Sequence, residues 1–242
     1  MKHLRMTCTL VALMLLAALN APAGEKDKDQ AKVVDSGSFG IFVGGKRVAT
    51  ETFQITEKPD GSLAHSEFKV TDGSSSQASD LQLLPSGDLR RYEWRDETSK
   101  ALVVVELKND FLVEQVTVAD TTKPTEIPFL LSASTSVVDD NFFIHRQILA
   151  WKYLASGCAP GTVTAQGCVY QKTQFGVIVP QQQRPLVISM EYAGKDKLPG
   201  IERDLWRFKL ETEGVEWALW LDEQHKMVRV LVAAQNIEVR RD

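Results

Sequence analysis

Motifs of catalysis and metal binding are what this sequence lacks. Its four histidines, His3, His65, His145 and His225, never stand three or four residues apart, and neither H-E-x-x-H nor an aspartate-rich calcium loop occurs. A resident metal is therefore not expected, and no cofactor fingerprint is present. There is no G-x-S-x-G elbow for a nucleophilic serine and no C-x-x-C pair. Basic residues are in the minority, with 28 Lys and Arg against 32 Asp and Glu, which argues against nucleic acid as a partner. Beyond the first two dozen residues no apolar run approaches the roughly 20 residues a membrane span needs.

What is present begins with an export signal. Met1 to Ala23 carries Lys2, His3 and Arg5, an apolar run from Leu10 to Leu19, and Ala21-Pro22-Ala23 as a small-x-small cleavage site. Cleavage near Ala23 would leave about 220 residues, enough for one domain with a full core. The expected compartment is the periplasm. Cys8 precedes the apolar run, so no lipid anchor is assigned. Cys158 and Cys168, in the frame SGCAPGTVTAQGC, fit a structural disulfide in an oxidising compartment. Residues 24–36 are charged and poor in large apolar side chains, which reads as a flexible leader, with a single domain over 37–242.

One long helix stands out, VDDNFFIHRQILAWKYLASG, expected from about Asp140 to Ser156. Asp139, Asp140 and Asn141 supply cap residues and Gly157 a stop. Ile144, Ile148, Trp151 and Ala155 recur at helical spacing, widened by Phe143 and Leu154, with Arg146 and Lys152 directed elsewhere. The rest reads as strands. Gly44-Gly45 marks a hairpin, Pro59-Asp60-Gly61 and Pro85-Ser86-Gly87-Asp88 mark turns, and ALVVVEL from Ala101 is apolar on both parities, as in a central strand. Near the end Trp206, Phe208 and Leu210 alternate with charged residues, then Val215, Trp217, Leu219 and Leu221 do the same. The expected fold is mainly β: a strongly curved antiparallel sheet of about twelve strands around one helix.

The tempting local motifs fail on context. Gly40, Gly45 and Lys46 have P-loop spacing, but Arg47 replaces the magnesium-binding hydroxyl and a strand follows where a helix must start. Ser132, Ser134 and Ser136 lie near Asp139, Asp140 and His145, which keeps a hydrolase using His145 open as a reading. His145 itself also fits a half-buried partner of a carboxylate or aromatic. Five tryptophans remain, Trp94, Trp151, Trp206, Trp217 and Trp220. With Phe143, Ile144 and Ile148, the residues Trp151, Trp206 and Trp217 could line an apolar cavity between sheet and helix, or could simply fill the core. Trp220 falls on the polar parity with Glu216 and Asp222 and is expected to be exposed, a possible contact for a partner.

Two stretches carry a resemblance. GSFGIFVGGKRVATETFQI near the start and WRFKLETEGVEWALWLDEQHKMVRV near the end resemble secreted bacterial domains of unknown function built as a spiral β-roll. More distantly, the layout is similar to periplasmic lipoprotein and lipid carriers, whose half-barrel wraps helices around an apolar cavity. That resemblance implies an exported, non-enzymatic protein binding a hydrophobic or amphipathic, lipid-like ligand between sheet and helix. The alternative is a structural or partner-binding module of the cell envelope with a filled core.

Overall fold

The computed structural model describes residues 31–119, 121, 123–156, 163–164 and 167–242, with backbone alone at 163–164 and 167–168. The signal at Met1–Ala23 and residues 24–30 of the leader lie outside the described residues, as do Cys158 and the side chain of Cys168, and with them the disulfide.

Period-2 alternation builds the first half of the sheet. In β2 (Lys46–Lys58) the buried residues are Ala49, Glu51, Phe53 and Ile55; in β3 (Gly61–Val70) they include Ala64, Ser66 and Phe68. β1 (Lys32–Val43) turns into β2 through Gly44 and Gly45, whose φ values of 57° and 81° are those of a primed hairpin turn. The P-loop spacing is thus a strand, a turn and a second strand. From β3 the chain meanders through β4 (Ser76–Leu83), β5 (Leu89–Asp96), β6 (Leu102–Lys108), β7 (Phe111–Thr117) and β8 (Thr125–Phe129). ALVVVEL behaves as its double parity requires, with Val103, Val104 and Val105 all buried.

A short β9 (Ser136–Val137) leads into the helix, α1 (Ile144–Ser156), after which come β10 (Val163–Thr164) and β11 (Gly167–Cys168), paired with each other. The second meander is β12 (Thr173–Val179), β13 (Arg184–Asp196), β14 (Leu205–Thr212), β15 (Val215–Leu221), β16 (Met227–Val232) and β17 (Ile237–Arg241). β17 returns to pair with β1, from Phe39 against Arg241 to Val43 against Ile237. The result is one open sheet of 15 strands, ordered β8-β7-β6-β5-β4-β3-β2-β1-β17-β16-β15-β14-β13-β12-β9. Every pairing in it is antiparallel except β9 with β12. Fifteen strands replace the expected twelve, because short segments such as β8 and β9 carry too few residues to show a period.

Three boundaries move. The helix starts at Ile144 instead of Asp140, because Asp139 to Phe143 serve as its approach and bond to other elements. The leader ends earlier than residue 36: β1 begins at Lys32, pairs with β2 from Lys32 against Glu57, and buries Asp35. Composition made Lys32–Ser36 look unstructured, and strand pairing with an ion pair overrides it. By its charge the stretch AGKDKLPGIERD after Tyr192 reads as a surface excursion, yet its first part continues β13 to Asp196, with a register shift between Tyr192 and Lys195.

One hydrophobic core spans both meanders and the helix. It joins Val105 and Leu112 of the first half, Val177, Met190 and Phe208 of the second, and Phe142, Leu149 and Tyr153 around α1. The turn into β3 shows how tightly this sheet is pinned. Gly61 has φ of 144°, and a Cβ there would lie 2.1 Å from the Leu83 carbonyl oxygen. Gly61→Ala is expected to cost about 1–3 kcal/mol from backbone strain. Gly73→Ala, with positive φ but open space around it, should cost less, about 1–2 kcal/mol from the left-handed conformation alone. Urea midpoints for the two variants, measured side by side, check the ordering.

Candidate functional site

The helix enters the sheet on polar anchors. Its first turn contains no acidic residue. Glu51 of β2 takes that role from across the core: its carboxylate accepts the Phe143 amide at 2.7 Å and the Ile144 amide at 3.2 Å. The Ser66 hydroxyl donates to the same carboxylate at 2.7 Å. Burial is the larger influence on this acid and pushes it up to about 7, against the lowering effect of those three donors. Asp139, the expected cap, accepts the Tyr92 hydroxyl at 2.6 Å, the Asn141 amide at 3.1 Å and the Gln181 side-chain amide. Burial raises Asp139 to about 6 and Tyr92 well above its usual range.

Further along α1, Gln147 reaches both meanders. Its amide donates to Asp35 of β1 at 2.8 Å while its carbonyl accepts the Met227 amide of β16 at 2.6 Å. Trp151 donates its indole N–H to the His225 carbonyl at 2.6 Å. Tyr153 donates to the Gln171 carbonyl at 3.0 Å and accepts the Tyr192 amide at 3.1 Å. The helix is therefore bonded to strands on several sides, and it leaves one face less tightly covered.

That face forms a groove of about 330 Å³ against β1 to β4. Ile148 and Trp151 stand on the helix side, with Val34, Ile55, Ala64 and Leu83 on the sheet side. Exposed Glu57 and Gln224 lie at its mouth, together with half-buried Lys226. An apolar floor with a polar rim suits a ligand with an apolar body and a polar end.

The residues singled out from sequence separate into four places. Ile148 and Trp151 line the groove. Ile144 is fully buried in the core. Phe143 and Trp217 flank Arg146, whose guanidinium carbon lies 4.8 Å and 4.5 Å from their ring centroids. Trp206 belongs to an aromatic cluster, with ring centroids 5.2 Å from Tyr192, 6.2 Å from Tyr170 and 5.1 Å from His225. The six do not line a single cavity.

Trp220 is corrected outright. It is buried, because Leu198 and Ile201 from the β13–β14 connection pack with it on the opposite face of the sheet from the helix. Arg207 and Arg229 lie within 5.8 Å and 5.6 Å of its ring, and its indole N–H donates to Asp196 at 3.3 Å. A residue on the polar parity was thus covered by a connection that sequence reading left on the surface. The helix stripe is also corrected. Arg146 and Gln147 are buried, whereas Ala155 is exposed, because the sheet supplies polar partners to the helix interior.

His145 is deeper than the expected half-buried site. Its Nδ1 accepts the Asp139 amide at 3.2 Å, its ring packs against Tyr92 and Phe142, and Nε2 meets no partner among the described residues. Burial, with Arg146 beside it, lowers its pKa to about 3, so it is neutral at physiological pH. The Ser132 and Ser134 hydroxyls bond each other at 2.7 Å at the surface. Among the described residues no serine hydroxyl bonds to His145, and no three His, Cys, Asp or Glu side chains converge as a metal would require. No helix among them is long and apolar enough to cross a membrane.

Sequence reading missed Glu51, Asp139, Tyr92, Glu114 and Arg146 as an interior polar set. A signal existed for two of them: Glu51 shares the inward parity of Ala49, Phe53 and Ile55, and Glu114 that of Leu112 and Val116. Burial alone drives Glu114 to about 7. Comparison with protein-family models, with curated proteins and with solved structures finds no match, so the site is read from its own geometry.

Proposed function

We propose that this chain is an exported, non-enzymatic protein of the periplasm that holds a hydrophobic or amphipathic molecule between its helix and its sheet, the sheet curling around α1 as a half-barrel. The observation that carries this reading is the groove of about 330 Å³ with Ile148 and Trp151 on one wall and β1 to β4 on the other. Its volume lies at the lower end of the range for small-molecule sites, about 300–1,000 Å³. Lys226 and Glu57 at its mouth could hold a polar end of either sign while the apolar walls take the body of the ligand. The N-terminal signal in the sequence supports the compartment.

The uncharged fluorophore N-phenyl-1-naphthylamine tests this directly. Saturable binding is expected, weakened about tenfold by Trp151→Ala, equivalent to about 1.4 kcal/mol. The variant should still melt cooperatively, since Trp151 is half-buried and the core around Leu149 and Tyr153 stays intact. Binding unaltered by Trp151→Ala, or no saturable binding at all, would remove the groove as the ligand site.

A further inference from the structure

Arg146 is 3% exposed, yet it has no carboxylate within ion-pair distance among the described residues. Its Nη1 donates to the main-chain carbonyls of Asp139 and Phe142, which leaves Nε and Nη2 without an acceptor. Burying a guanidinium with no carboxylate in contact is costly; burial lowers the pKa of Arg146, and the charges of Asp140, Asp139 and Glu51, near but not touching, only partly offset that. Two further groups nearby share this condition. The Trp217 indole N–H and the Thr212 hydroxyl are buried and meet no partner among the described residues.

All three side chains line one small cleft of about 50 Å³. Asp140 apart, its other walls are apolar: Val138, Val179, Leu186, Ile188 and Leu210. The cleft is separate from the groove. At 100° per residue, Arg146 projects from α1 close to opposite the direction shared by Ile148 and Trp151. The space would admit roughly four waters, or one planar headgroup with the first carbons of a chain.

We propose that this cleft is a binding site for a carboxylate carried on an apolar tail. The guanidinium fork matches a carboxylate in shape and charge, and the Phe143 and Trp217 rings lie against it, 4.8 Å and 4.5 Å from its carbon. Trp217 and Thr212 supply two further donors. Leu186, Ile188 and Leu210 flank the tail. Asp140, exposed and bonded to Gln182, also lines the cleft and is a like charge that a bound carboxylate must tolerate. This site does not rest on the groove being a ligand site.

Isothermal titration of the purified chain with acetate, octanoate and 1-octanol at pH 7.5 tests it. Octanoate is expected to bind saturably at one equivalent, with acetate weaker and 1-octanol at least tenfold weaker. Arg146→Met should weaken octanoate at least tenfold, and Trp217→Phe and Thr212→Val severalfold each, while Asp140→Asn should strengthen it severalfold. Thr212→Val and Asp140→Asn preserve shape, so they read the site even where Arg146→Met fails to fold. Acetate binding as tightly as octanoate would keep the carboxylate site and dispense with its tail. Three results overturn the proposal: no saturable octanoate binding, equal binding of 1-octanol, or octanoate binding lost in Trp151→Ala and retained in Trp217→Phe and Thr212→Val, which would place the ligand in the groove.

Discussion

Replacing Glu51 by alanine is expected to lower the unfolding free energy by roughly 3–5 kcal/mol, measured by urea denaturation at pH 7. Two main-chain amides at the start of α1, those of Phe143 and Ile144, lose their acceptor in a place water does not reach, and each orphaned buried donor costs about 1–3 kcal/mol. The Ser66 hydroxyl loses its shorter bond as well and keeps only the Thr52 carbonyl at 3.2 Å. Glu51→Gln retains an acceptor oxygen and is expected to cost far less.

The same residue sets a pH dependence. In the fold Glu51 is pushed up to about 7, whereas the unfolded chain titrates it near the usual 4.5. A raised acid binds its proton more tightly when folded, so the fold is favoured at low pH and loses stability as pH rises from 4.5 through 7. Glu114, at about 7, and Asp139, at about 6, act in the same direction. His145 opposes them: lowered to about 3 from 6.5, it penalises the fold as pH falls below 6.5. Three groups outweigh one. The melting temperature should therefore be higher at pH 5 than at pH 8, and Glu51→Gln should flatten the slope and exceed the parent at pH 8. An identical slope in the variant would show that Glu51 is not the titrating group.

Asp35→Ala is expected to cost a similar amount, about 3–5 kcal/mol, because removing one partner of a buried ion pair strands the other. The Asp35 side chain is fully buried and meets Arg241 through two hydrogen bonds, at 2.6 Å and 3.2 Å, with Lys226 at 3.4 Å and Gln147 of the helix at 2.8 Å. This carboxylate ties the first strand, the last strand and α1 at the seam where β1 meets β17. Burial pushes its pKa up, but the hydrogen bonds from Arg241 and Gln147 and the charges of Arg241 and Lys226 outweigh it, so it stays below 3.8. A lowered acid stabilises the fold above its unfolded value and gives that stability up in acid. Stability should therefore fall again below about pH 4, and Asp35→Ala should make that acid limb shallower while His145 keeps its share of it. A double-mutant cycle with Arg241→Ala, read by urea denaturation, measures the pair; a coupling energy near zero would dismiss it.

Legibility differed by the kind of force at work. Ile148 and Trp151 were identified from helical spacing, and they do stand together, since a period of 3.6 fixes which side chains share a face whatever covers that face. Trp220 went wrong because parity reports the side of a strand and not what lies over it; Leu198, more than twenty residues away, decided its burial. Asp35 and Arg146 went wrong for a related reason. A charged residue reads as solvent-facing until its partners are known, and those partners come from distant parts of the chain.

By itself, then, the sequence determined the β-rich class, the single helix, the hairpin at Gly44-Gly45 and the parities of the strands, because each follows from the dihedral preferences and apolar spacing of neighbouring residues. Only the tertiary structure decided that β17 lies beside β1, that Glu51 caps a helix 92 residues further along, and that Arg146, Trp217 and Thr212 line one cleft. Those outcomes depend on strand order and on the cost of burying polar groups, and neither is encoded in any short window of residues.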